Sequence, residues 1–156
     1  MKYYNEIKSK LIDNEVYKKV KDYSKNKNNL STYYAVGKLL YEAGNKYGEG
    51  IIKKYSERLV IEVGRNYNER TLRRIRQFYL VFKDEIWSTM STKLMWSHYT
   101  EILSLSNVNE INYYINITEE YNLSVRQLRE RIKNKEYQIL LKRGTKLKLP
   151  AYSIMS

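Results

Sequence analysis

The chain contains no cysteine, a single proline and a single histidine among its 156 residues. Without cysteine there is no disulfide framework and no thiolate to hold a metal, and a reducing compartment is allowed. With one histidine, His98, a nucleophilic triad would need a nucleophile and an orienting group beside it. No serine stands in a nucleophile-elbow context, so His98 is expected to be a structural hydrogen-bonder in its Trp-Ser-His-Tyr turn. The acidic pairs Asp84–Glu85 and Glu119–Glu120 have no apolar setting, which makes solvated carboxylates the expectation rather than an acid/base couple. No catalytic residue, metal site or cofactor is therefore expected.

Long apolar runs are also missing. Nothing approaches the roughly 20 residues that span a bilayer, and MKYYNEIKSK at the N-terminus lacks the apolar centre of a signal peptide. No membrane partner and a cytoplasmic location are expected. The glycine-bearing GNKYGEG, Gly44 to Gly50, is read as a turn: no strand precedes it and no Gly-Lys-Ser/Thr follows, so it is not a phosphate loop.

What the chain has in abundance is positive charge and tyrosine. Lys and Arg number 29 against 17 acids, for a net charge of +12, and 17 residues are tyrosine. A lysine- and asparagine-rich composition follows from an AT-biased coding sequence, but the arginines are clustered. Arg58, Arg65, Arg70, Arg73, Arg74 and Arg76 occur without an intervening lysine, as do Arg126, Arg129 and Arg131. A planar, forked guanidinium suits phosphate and base-edge recognition, or ion pairs. Charge is uneven as well. Residues 101–123 carry four acids and no base, whereas residues 124–149 carry nine bases and two acids. The alternation points to one acidic side and one or two basic ones.

Helical spacing of apolar residues recurs and period-two alternation is scarce, so the expected fold is all-α, a compact multi-helix domain. Residues 1–24 read as an amphipathic helix with Ile7, Leu11, Val16 and Val20 inward, and Ser24 to Asn29 as a polar loop. Ser31 is expected to cap the next helix and Gly44 to end it, with Ala35, Leu39 and Leu40 packed. A third helix is expected over Ile51–Val63 on Ile52, Tyr55, Leu59 and Val63, stopped by Gly64. A fourth is expected over Glu69–Phe82, burying Leu72, Ile75, Tyr79 and Phe82. After a polar, Trp-bearing connection beyond Lys83, short helices are expected over Met95–Leu105 and residues 108–121. Ser124 with Gln127 reads as a capping box opening a last helix to Leu141, with Val125, Leu128 and Ile132 inward. The segment 142–156 is a basic tail.

The constellation that remains is helix, Gly64 turn, arginine-rich helix, which is a helix-turn-helix-like unit. Arg70, Arg73, Arg74 and Gln77 fall at i, i+3, i+4 and i+7 on one face, with Arg76 beside them. They could reach phosphates or guanine edges, and Gln77 could pair with adenine. Arg126, Arg129 and Lys133 share the exposed side of the last helix. The competing explanation is that the fourth-helix arginines are ion-paired to Glu57, Glu62 and Glu69.

Five ordered pieces carry a resemblance. They are Tyr34-Ala35-Val36-Gly37, Tyr47-Gly48, Leu72-Arg73-Arg74-Ile75-Arg76-Gln77-Phe78-Tyr79, Trp96-Ser97-His98-Tyr99 and Leu123-Ser124-Val125-Arg126-Gln127-Leu128. Through them residues 30–141 resemble the N-terminal helical domain of the YhcG-type nuclease family, with residues 1–29 and 142–156 outside the match. That domain usually precedes a PD-(D/E)xK nuclease domain, and the resemblance implies the binding half without the catalytic one. The expectation is a non-enzymatic, DNA-binding protein that self-associates as helix-turn-helix proteins often do. The alternative is an inhibitor or interaction module from a mobile element, such as an anti-CRISPR protein, acting on a nuclease or CRISPR effector complex.

Overall fold

The computed structural model describes residues 2–20, 25–83 and 93–144, with the backbone alone for residues 20 and 25–27. The described residues form eight helices and no strand. They fall into two compact units, Met1–Thr92 and Lys93–Ser156.

The first unit holds α1 (Lys2–Val20), α2 (Lys25–Tyr47), α3 (Gly50–Glu62) and α4 (Glu69–Phe82). In α1 the buried stripe is Tyr4, Ile7, Leu11 and Asn14. Val16, expected inward, is 56% exposed. Asn14 turns in because it zips α1 to α2: it donates to the Asn29 side chain at 2.8 Å and accepts from Asn28 at 2.8 Å. That pairing also corrects the expected Ser24–Asn29 loop, which is helical from Lys25. Asparagines weaken a helix by offering the backbone other partners, but here these side chains are engaged across the interface. Ser31 consequently lies inside α2 and caps nothing, and Leu30, Tyr33, Val36, Leu40 and Ala43 form the buried face. Gly44 does not end α2 either. The helix runs on to Tyr47, and Gly48, at φ +93°, takes the left-handed position that side chains disfavour.

α3 buries Ile52, Tyr55, Ser56 and Leu59. It stops where the backbone N–H groups of Val63 and Gly64 both reach the Leu59 carbonyl, at 2.8 and 3.0 Å. Asn68 then caps α4, its side chain accepting from the Thr71 amide at 3.0 Å. α4 matches its expected bounds, but Phe78, not Tyr79, joins Leu72, Ile75 and Phe82 in the core. Tyr79 is half-buried for a reason seen at Gly37: a Cβ there would stand 2.4 Å from the Ile75 carbonyl oxygen and 2.7 Å from Tyr79 Cβ. α2 and α4 therefore approach backbone to backbone at Gly37, and Tyr79 lies beside it against Tyr34 and Tyr41.

The second unit holds α5 (Trp96–Ile102), α6 (Val108–Tyr121), α7 (Val125–Lys133) and α8 (Glu136–Lys142). α6 keeps its expected bounds and ends at Asn122 in the left-handed region, φ 51°. The Ser124–Gln127 capping box is present, with bonds of 2.8 and 3.1 Å. The expected single last helix is two. Asn134 and Lys135, the latter at φ 55°, break it, and the bend buries Tyr137 on α8 against Tyr113. The Tyr137 amide then donates to the Tyr114 hydroxyl at 3.2 Å. Leu128 is the buried residue of α7. The connection over residues 84–92, with Asp84–Glu85, and the tail 145–156 lie outside the described residues.

Candidate nucleic-acid interface

The arginines of α4 divide into two kinds. Arg76 is held by Glu49, with its two terminal nitrogens 2.5 and 3.0 Å from the two carboxylate oxygens. Arg73 donates to Glu69, one turn earlier on the same helix, at 2.7 and 3.0 Å, and lies 3.5 Å from Glu49. The Glu-before-Arg order at i,i+4 is the favourable one for the helix dipole. Arg70 and Arg74, at i and i+4 of the same helix, make no ion pair among the described residues; Arg70 is exposed and Arg74 half-exposed. Gln77 is half-buried. In the turn before α4, Arg65 is exposed and also without an ion pair among the described residues.

The electrostatics follow that division. The Arg76 guanidinium, with Arg73 adding to it, holds the Glu49 carboxyl below its ordinary 4.5, and the Glu69 carboxylate raises Arg73 further. Of the expected ion-pair partners, Glu69 takes Arg73, while Glu62 takes Arg58, Lys8 and the Tyr4 hydroxyl instead. Glu49, the residue that grips two α4 arginines, was not anticipated. The only signal for it was an acid between two glycines.

In the second unit Arg126 and Lys133 are exposed on α7 and make no ion pair among the described residues, while Arg129 reaches Glu101 at 3.1 Å. Arg131 lies 3.5 Å from Glu136 and over the Tyr121 ring. These two belong to a groove of about 590 Å³ that Ile117, Ile139 and Arg143 also line.

His98 is buried and structural. Its Nδ1 accepts from the Met95 amide at 3.0 Å, which leaves the proton on Nε2 to donate to the Leu123 carbonyl at 2.9 Å. One ring thus ties the start of α5 to the turn before α7. Among the described residues no cluster of three or more His, Cys, Asp or Glu could hold a metal ion, and no helix is long and apolar enough to cross a membrane.

A helix whose arginines are partly clamped and partly without an ion pair among the described residues, leading from a short turn, is the geometry on which kinship bears. The profile of the DUF1016 N-terminal domain matches residues 7–139. The chain belongs to the DUF1016 N-terminal domain family. Among curated proteins it is similar to "Putative nuclease YhcG" of Escherichia coli (strain K12), 27% identical over 144 residues, which cover 69% of this chain and 38% of that protein. The chain therefore spans little more than a third of that relative. No solved structure matches it. The family match begins at residue 7 and so includes α1, which packs on α2 and α3 in the first unit.

Proposed function

We propose that this domain binds nucleic acid, duplex DNA first, through the exposed face of α4, as a binding protein with no catalytic centre of its own. The observation that carries this reading is the pair Arg70 and Arg74, one turn apart on a well-buried helix and committed to no carboxylate among the described residues. Arginines presented by a fixed helix are a phosphate-contacting and base-reading device. α3, the Gly64 turn and α4 serve as the helix-turn-helix-like unit, with Arg65 entering from the turn. Arg73, Arg76 and Gln77 support that face, and Arg126, Arg129 and Lys133 of α7 add backbone contacts. The kinship to a protein named as a nuclease supports a nucleic-acid partner.

Fluorescence anisotropy on a random labelled duplex and a matched single-stranded RNA, at two salt concentrations, tests it. The expected result is duplex binding that weakens steeply with salt, log K falling by about 0.9 per neutralised phosphate. A second reading, an interaction module that binds a nuclease or an effector complex, is favoured by the groove with Tyr121 and Ile139 at its surface. It would take over if the protein ignores nucleic acid at low salt despite its charge of +12.

A further inference from the structure

Glu49 stands at the N-cap position of α3, where a Ser, Thr, Asp or Asn side chain would accept from the helix's free amides. Its side chain makes no such bond. The carboxylate reaches across to α4 instead and takes both terminal nitrogens of Arg76, with Arg73 at 3.5 Å. The two partners differ in exposure. The Arg76 side chain is 17% exposed and Glu49 is 65% exposed, so the carboxylate covers the guanidinium from the solvent side. Beneath the pair lies Gly44 of α2: a Cβ there would meet Glu49 Oε2 at 3.4 Å and Arg76 Nη1 at 3.6 Å. The site thus has a small-residue floor and two guanidinium walls, filled by one carboxylate.

The guanidinium fork that grips a carboxylate through paired oxygens can grip a phosphate in the same bidentate way. The Glu49 side chain, 65% exposed, also has room to turn away from the arginines. Gly48 and Gly50 flank it, and a Cβ at either would meet nothing within 4 Å. From this geometry we infer that Arg73, Arg76 and the Gly44 floor form a phosphate-binding subsite that Glu49 occupies as a built-in competitor. A phosphodiester oxygen displaces the carboxylate on binding. The inference rests on the proposed nucleic-acid role of α4 and adds how that site is held closed. Each binding event must break the Glu49 contacts before gaining the phosphate, so Glu49 lowers affinity for any polyanion that lacks further contacts to Arg70 and Arg74. It acts as a specificity residue.

The test is duplex binding by the wild-type chain, Glu49→Gln and Glu57→Gln across a salt series. Glu57 is exposed on α3, so Glu57→Gln removes the same charge away from the site. Glu49→Gln is expected to bind about tenfold tighter than wild type and to steepen the salt slope by about 0.9 to 1.8, for one or two freed arginines. Glu57→Gln gains less than about twofold. Arg73→Gln in the Glu49→Gln background removes most of the gain. Glu49→Asp, which keeps the charge but shortens the reach, falls between wild type and Glu49→Gln and carries the test should Glu49→Gln fail to fold. Equal gains for Glu49→Gln and Glu57→Gln would overturn the subsite while leaving wild-type DNA binding in place. Absence of duplex binding by every variant at low salt would overturn the DNA-binding reading and the subsite with it.

Discussion

Each unit of this chain carries an arginine-bearing helix, and the two are restrained in different ways. α4 buries Leu72, Ile75, Phe78 and Phe82 and meets α2 so closely that only glycine fits at position 37. α7 is nine residues long, has one buried residue, Leu128, and owes its start to the Ser124–Gln127 box. On α4 the core sets where each guanidinium begins, and two of the four are further fixed by carboxylates. On α7 the side chains stand on a short helix that a single anchor positions. The lesson is that clustered arginine in sequence does not mean one job. The core around the helix decides whether an arginine is a preset contact, a clamped one or an adaptable one.

The comparison breaks most visibly through the anchors. Gly37→Ala drives a methyl into the Ile75 carbonyl, a backbone atom that cannot step aside. The expected cost is about 3 kcal/mol. Leu128→Ala empties the single buried position of α7 and costs about 2–4 kcal/mol. Denaturant midpoints measure both, and amide spectra locate them. Gly37→Ala should disturb α2 and α4, and Leu128→Ala should disturb α5 to α8. A Gly37→Ala protein as stable as wild type would show that the α2–α4 approach yields, and with it the idea of α4 as a preset platform.

The next effect is on binding. Arg70→Ala with Arg74→Ala removes two arginines that hold no carboxylate among the described residues, so duplex affinity should fall about tenfold or more and the salt slope by about 1.8. The melting temperature should hardly move. Arg126→Ala with Lys133→Ala should cost less than the α4 pair, about threefold, because these side chains start from a less fixed helix. Equal losses from both pairs would erase the distinction between the helices.

Much of this was legible beforehand. The helices over Glu69–Phe82 and residues 108–121 announce themselves by apolar spacing, and the Ser124 box by its Ser–Gln pair, which are local signals. What was not legible depended on partners far along the chain. Asn28 and Asn29 read as a loop because nothing local reveals that Asn14 awaits them on α1. Gly44 read as a stop because a glycine that terminates a helix and one that clears room for an ion pair look alike in sequence. Phe78 and Tyr79 exchanged expected roles because α4 is covered on more than one side, so a single stripe underdescribes it. The site residues show the same limit. Which face carries Arg70, Arg73 and Arg74 follows from spacing, but that Glu49 grips Arg73 and Arg76 is a long-range fact.

The tyrosines offer a smaller effect that both units share. Burial first, then the neighbouring carboxylate, raises Tyr4 beside Glu62 and Tyr113 beside Glu136 well above the ordinary 10.0; burial, then Tyr33 and Glu15, does so for Tyr67, and burial does the same for Tyr99. A raised folded value means the neutral phenol is favoured by folding. That stabilisation is complete below pH 10.0 and disappears as pH rises through the raised values. A phenolate absorbance titration should therefore show exposed tyrosines ionising first, with the rest ionising together in an unfolding step above pH 10.0. A single smooth titration at the ordinary value would mean these hydroxyls are wet. Tyr4 and Tyr67 report on the first unit, and Tyr99 and Tyr113 on the second, so separate late steps would also show that the units unfold independently.

The smallest expected effect is at Glu101. It pairs with Arg129 at 3.1 Å much as Glu49 pairs with Arg76, across 28 residues rather than 27. The two pairs differ in what surrounds the guanidinium. The Arg129 side chain is 56% exposed against 17% for Arg76, so Arg129 can leave Glu101 for a phosphate without waiting for the acid to move. Exposed pairs of this sort are weak and are screened by salt. Glu101→Gln should therefore leave the melting temperature unchanged and raise duplex affinity by less than about twofold, no more than one removed surface charge would. Measured beside Glu49→Gln, it separates two accounts of the arginine pairs. If both substitutions tighten binding equally, the carboxylates act only through their charge. If Glu49→Gln alone does so, burial of the arginine gives its acid control over the site.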